Sequence, residues 1–190
     1  DMVAGPSEVT IVGDKYSNPE WIASDLIAQA EHDTFAQSIL ISKDRLLIKN
    51  VIASLKKQIK ILPKKKIAKK SLKKFGLAIH VNNDSEISRI INIIAPEHLE
   101  LNVKNYKNLI PKIKNAGSIF VGKFSPEAMG DYIAGPNHVL PTSGAAKFSS
   151  GLSVGDFLKR HSFIKITKTG IERLGPSVIN LAKHENLEGH

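Results

Sequence analysis

Residues 7–33 read SEVTIVGDKYSNPEWIASDLIAQAEHD, and the order of events in that stretch decides the fold. Residues 7–12 form a short β-branched run that stops at Gly13-Asp14, the pattern of a strand. Ser17-Asn18-Pro19-Glu20 follows with a capping side chain, a proline for the first turn and an acid for the positive end of the helix dipole. Trp21, Ala23, Leu26, Ile27 and Ala30 then recur at helical spacing, which predicts a helix to about His32-Asp33.

The unit repeats along the chain. Residues 36–42 (AQSILIS) predict a second strand, residues 43–61 a helix with Leu46, Leu47, Val51, Leu55 and Ile59 on one stripe. Pro63 interrupts that helix, and 64–74 predicts another, ended by Gly76. Residues 77–81 read as a strand, Asp84-Ser85-Glu86 as the start of a helix stopped by Ala95-Pro96, and 99–103 as a fourth strand. Residues 106–114 predict a helix, 118–121 a fifth strand, and Ser125-Pro126-Glu127 opens a helix carrying Asp131. Such alternation predicts an α/β fold: a mostly parallel sheet covered by helices on both faces, Rossmann-like but incomplete. Ligands in such folds sit beyond the carboxyl ends of the strands. From Gly135 the chain becomes a long irregular loop, a texture associated with function. Gly175-Pro176 predicts a last helix over 177–185. The division expected is an α/β domain over 1–150 and a small C-terminal appendage over 151–190.

Composition narrows the class. The 190 residues are 42% hydrophobic, and their apolar runs are too short to cross a bilayer. No cysteine is present, which excludes disulfides and thiolate metal sites. The start has neither a basic region nor an apolar run of leader type, so a cytoplasmic location and no membrane partner are expected. The first residue is Asp1 and the last His190, which read as the ends of a fragment. Net charge is +9, concentrated in ten lysines between Lys56 and Lys74. That run holds no arginine and ends in a single aromatic, Phe75, whereas base readout and stacking use arginine and aromatics. It reads as a solvated helical face, with no nucleic-acid partner expected.

Four places could carry chemistry. Gln29 and His32 lie three apart near a predicted helix end, with Asp25 one turn earlier, and could form half of a divalent-metal site. Glu97-His98 after Ala95-Pro96 could form a proton-transfer pair. Asp131 and His138 flank a Gly-Pro loop, and Glu185 with His190 forms a further carboxylate–imidazole pair. No spacing rule joins these segments, and pattern reasoning stops at an α/β protein with polar clusters on its loops.

Five blocks take the reading further: AGPSEV (4–9), DLIAQAEHD (25–33), APEHLE (95–100), SPEAMGDYIAGPNHVLPTSG (125–144) and FSSGLSVGDFLKR (148–160). In order and over nearly the whole chain, they resemble the signature blocks of the histidinol dehydrogenase family, and match its C-terminal portion. The resemblance implies oxidation of L-histidinol to L-histidine through L-histidinaldehyde with two NAD+, the last step of histidine biosynthesis, by a zinc-dependent homodimer. It implies Gln29, His32, Asp131 and His190 as zinc ligands, His98 as general base and Glu97 as the acid that activates water. Ser7, Gln29, His32, His98, Asp131, His138, Glu185 and His190 are implied substrate contacts, the tail segment packing on a partner subunit so that sites are shared. No glycine-rich dinucleotide fingerprint occurs, so no NAD-binding residue is assigned here and the fragment alone is expected to be inactive. A metal-dependent hydrolase could use the same ligands; the block order is what favours a dehydrogenase.

Overall fold

Aliphatic runs bounded by turn residues form five strands: β1 (Glu8–Gly13), β2 (Gln37–Ser42), β3 (Gly76–His80), β4 (His98–Asn102) and β5 (Ser118–Val121). A computed structural model describes residues 5–189 of the chain. The strands make one sheet in the order β3-β2-β1-β4-β5, every pair parallel. The connections are helical: α1 (Pro19–Ala30), α2 (Arg45–Gln58), α3 (Lys65–Phe75) and α4 (Asp84–Ile94), with α5 (Glu127–Tyr132) after β5. This is the doubly wound arrangement the alternation predicts. The chain divides into two compact units, Asp1–Ser153, which holds the sheet, and Val154–His190, which holds α6 (Lys168–His184).

Side-chain alternation sorts the strand residues into two cores. Val9, Ile11 and Leu40 pack with Ile22, Ala23 and Leu26 of α1 and with Leu47 and Val51 of α2. Val12, Ile39, Ile41, Leu99 and Leu101 face the other way and pack with Ile87 and Ile91 of α4 and with Leu109. Asn18 caps α1, its side chain accepting from Glu20 N and Trp21 N, with Pro19 at the first position. Asp44 caps α2 and Asn83 caps α4 in the same way. The lysine-rich α3 buries only Ala68 and Ser71; the Ser71 hydroxyl donates to the Ala36 carbonyl at 2.8 Å. Helix α3 runs straight into β3 at Gly76, where a β-carbon would lie 2.4 Å from the Leu72 carbonyl oxygen.

Two expectations need correction. Residues 106–114 form no α-helix but two short 3-10 turns, Tyr106–Asn108 and Ile110–Lys112. Pro111 supplies no N–H for a helical ladder, and the Asn92 side chain binds the Lys112 carbonyl and the Lys114 and Asn115 N–H groups instead. The last helix starts not after Gly175-Pro176 but at Lys168, where the Thr167 hydroxyl caps Gly170 N, and Pro176 sits inside it. One capped start outweighed a proline that removes a single ladder bond.

Candidate functional site

Strand β4 is an interior strand, between β1 and β5, yet only every second side chain is apolar. Leu99 and Leu101 face α4; His98, Glu100 and Asn102 point to the opposite face, and all five are buried. The entry to β4 is strained. Ala95 ends α4 in the left-handed region (φ 51°, ψ 60°), a conformation that costs an alanine about 1 kcal/mol. Pro96 then commits the chain to extended geometry and delivers Glu97 and His98 at the amino end of β4.

His98 is fixed by main chain. Its Nδ1 lies 2.9 Å from the Glu8 carbonyl oxygen, which can only accept, so Nδ1 carries the proton and Nε2 presents a lone pair. That Nε2 is 2.6 Å from Nε2 of His138, whose ring stacks on His98 at 4.8 Å and 14°. His138 Nε2 is in turn 2.8 Å from Asp131 Oδ1. Phe120 leans on both imidazoles, and Gly130 allows the approach: a β-carbon there would sit 2.6 Å from the Phe120 ring and 2.9 Å from His138 Cε1. One ligand atom each from His98, Asp131 and His138 lie within 4.8 Å of one another, close enough to share a cation.

Burial pushes the His98 imidazole down to about 4, helped by His138 and His32 and opposed by the Glu8 carbonyl and Asp131. The ring is therefore neutral at neutral pH. Glu97 is buried, and its Oε2 accepts from Glu8 N at 3.0 Å. Burial pushes its carboxyl up to about 7; the Glu8 N–H opposes this, while the charges of Glu8 and Asp131 add to it.

The other wall is carboxyl-rich. Gln29, fully buried on α1, satisfies its amide when Nε2 faces Glu127, donating to Oε1 at 2.8 Å and Oε2 at 3.1 Å. Glu127 N donates to Glu100 Oε1 at 2.8 Å, and Glu127 Oε1 is 3.5 Å from His98 Nδ1. Burial, with Asp131 and the neighbouring carboxyls, pushes Glu127 up to about 9. Glu100 is pushed up to about 8 by burial and by Asp25, with which it shares a hydrogen bond; Asp25 itself rises to about 6 through burial.

The structure thus gathers Gln29, Glu97, His98, Asp131 and His138, with His32 close enough for its charge to act on His98. Ser7 immediately precedes β1 at the same edge, its carbonyl accepting from Gln37 N. Glu185 belongs to the second unit, where it caps the end of α6. His190 lies outside the described residues. Sequence reasoning missed Glu8, Glu100 and Glu127; the polar alternation of His98, Glu100 and Asn102 in a strand between two helical layers was the available signal. The cluster also sits at the amino ends of β1 and β4, not beyond the carboxyl ends as expected. The carboxyl edge instead opens a cavity of about 800 Å³ lined by Asp14, Lys15, Tyr16, Lys43, Arg45 and His80 among others. There Asp14 is occupied by Tyr16 N and Lys104 N, and Lys43 by Asp84 at 2.6 Å.

A doubly wound parallel sheet with an imidazole–carboxylate centre at one edge makes this an α/β protein equipped to move protons or hold a cation. Comparison with known proteins gives the particular family. The histidinol dehydrogenase family model matches residues 1–190. A histidinol dehydrogenase from Pelagibacter ubique is 60% identical over 189 residues, covering 100% of this chain and 44% of that protein. One from Listeria monocytogenes is 48% identical over 190 residues, again 44% of its length. The crystal structure of histidinol dehydrogenase from Elizabethkingia anophelis superposes with a TM-score of 0.87 at 41% identity, covering 100% of this chain and 44% of that one. The chain belongs to the histidinol dehydrogenase family, and it spans under half the length of the relatives it matches.

Proposed function

We propose that this chain forms part of the active site of a zinc- and NAD-dependent histidinol dehydrogenase that oxidises L-histidinol to L-histidine through L-histidinaldehyde in histidine biosynthesis. The observation that carries the reading is His98: a buried, neutral imidazole whose Nδ1–H is held by the Glu8 carbonyl, so that the Nε2 lone pair is its accepting site and faces His138 Nε2, which Asp131 also holds.

Gln29, His32 and Asp131, with His190, are the residues that would hold zinc. The donor set fits: amide, carboxylate and imidazole, all nitrogen and oxygen. The crowding fits too, because burial raises the carboxyls of Glu8, Glu97 and Glu127, the charge of Asp131 adds to this at Glu97 and Glu127, and a divalent cation would offset that field. Zinc bound there supplies a fixed positive charge that orients the substrate's nitrogens. NAD is a different matter. The β1–α1 turn, Gly13-Asp14-Lys15-Tyr16, has one glycine and lacks the phosphate-binding fingerprint, so no residue of this chain is assigned to it.

In the proposed oxidation His98 Nε2 would accept the substrate hydroxyl proton, and NAD+ would be the acceptor of the carbinol hydride. For the aldehyde, water must add before a second hydride leaves, and Glu97, poised near neutrality, accepts the proton of that water. His138, stacked on His98, and Ser7 line the same edge and contact substrate in this reading. Glu185 and His190 complete the site of a homodimer from the tail. The protein acts in the cytoplasm without nucleic acid; among the described residues no helix is long and apolar enough to cross a membrane.

The test uses the full-length protein. His98→Asn should lower NAD+-dependent histidinol turnover by roughly 10²–10⁴-fold while zinc content stays unchanged. Wild-type turnover in that variant would remove His98 as the base.

A further inference from the structure

A glutamine can offer a metal only its amide oxygen, and its amide presents oxygen and nitrogen in nearly the same shape. A buried glutamine ligand therefore needs a neighbour that pins the nitrogen. Glu127 meets that description. With the amide turned so that Nε2 faces Glu127, the two carboxyl oxygens lie 2.8 and 3.1 Å from that nitrogen and Oε1 is turned to the other side. Gln29 is 0% exposed and Glu127 5%, so no water competes for the amide.

Glu127 is itself held. Its N–H donates to Glu100 Oε1 at 2.8 Å, and Glu100 hydrogen-bonds Asp25, one turn before Gln29 on α1. The four residues close a ring through three elements, with the Glu127 backbone N–H making one link: α1 to β4, β4 to the start of α5, and α5 back to α1. Asp131 follows Glu127 by four residues and lies one turn along the same helix. The helix that carries the carboxylate ligand thus also sets the amide ligand.

We propose that Glu127 is the positioning residue for Gln29, orienting its amide oxygen toward the metal; this rests on Gln29 being a zinc ligand, as proposed above. A cation on Oε1 polarises the amide and strengthens its N–H donors toward Glu127, so ligand and support reinforce each other. Glu127 Oε1 also lies 3.5 Å from His98 Nδ1, so its part in metal positioning is read from zinc affinity and not from turnover.

Zinc affinity of the full-length protein, measured by chelator competition, tests the proposal without reference to turnover. Glu127→Met fills the same volume with no oxygen acceptor and should weaken zinc binding about 10–100-fold, the usual loss when a ligand's outer support is removed. Glu127→Gln keeps one acceptor oxygen and should recover most of that loss. In a Gln29→Ala background, where zinc binds more weakly to begin with, Glu127→Met should cost nothing further. Wild-type affinity in Glu127→Met, or an equal loss in both backgrounds, would overturn the proposal while leaving Gln29 a ligand. Wild-type affinity in Gln29→Ala alone would overturn the ligand assignment and the proposal with it. A lowered Tm with unchanged affinity in Glu127→Met would assign Glu127 a purely structural role.

Discussion

Replacing Glu100 by glutamine should remove a pH dependence from the stability of the sheet. Glu100 is 3% exposed, and burial with Asp25 nearby lifts its carboxyl from 4.5 to about 8. In the folded protein it keeps its proton until the pH passes that value; in the unfolded chain it loses the proton near 4.5. Across the window between the two, the unfolded state binds fewer protons, so stability is full below the lower value and falls as pH rises toward the upper one. Each unit of the window is worth about 1.4 kcal/mol, which makes the total on the order of 3–5 kcal/mol. Glutamine is nearly isosteric. Its oxygen can still accept from Glu127 N, and its amide can still donate to Asp25, but it has no proton to lose. Glu100→Gln should therefore match the wild type at about pH 5 and exceed it by a few kcal/mol at about pH 8.5. Urea unfolding over a pH series, followed by emission of the single tryptophan, Trp21 on α1, reads this directly. Parallel pH curves for the two proteins, or a variant weaker at high pH, would refute the reasoning.

Other consequences follow from the same geometry. Gly130→Ala places a methyl group 2.6 Å from Phe120 and 2.9 Å from His138, so it should displace the stacked imidazole and lower kcat with little change in Tm; unaltered kinetics would mean the site yields freely. Ile91→Ala empties a fully buried position between α4 and the sheet and should cost about 2–4 kcal/mol in chemical denaturation. Gly76→Ala drives a β-carbon against the Leu72 carbonyl, so Tm should fall even though alanine suits the strand's exposed edge. Zinc at a hundredfold over its Kd should raise stability by about 2.7 kcal/mol, and chelator should reverse the gain; a Tm indifferent to zinc would argue against a metal at this edge.

The sheet was legible because strand and helix punctuation is local. Asn18-Pro19, Asp44 and Asn83 start helices through their own side chains, and no distant residue is needed to read them. The failures were non-local. Asn92 takes over the polar groups of 112–115 from another element, and no window centred on 106–114 contains it. The site divides in the same way. Gln29 and His32 lie three apart at the end of α1 and could be paired from spacing alone. Glu8, Glu100 and Glu127 acquire their roles only when β1, β4 and α5 are side by side. Nor does local sequence tell which edge of the sheet the polar side chains will favour; the left-handed turn at Ala95 settles that by delivering His98 at the first position of its strand rather than the last.

The bond from His98 Nδ1 to the Glu8 carbonyl has a consequence for how the base can fail. Many enzymes set an imidazole's tautomer with a carboxylate that mutation can delete. Here the setting group is peptide backbone, and its position follows from the pairing of Val9 with His98. A one-residue slip of β4 against β1 would turn the imidazole to the α4 face and leave the carbonyl without it. No side-chain substitution at position 8 can erase the acceptor, but anything that loosens the start of β1 can misplace it. The protonation pattern of the base is thus a property of strand alignment, so inactivating mutations could arise well away from the pocket in residues that hold the two strands in step.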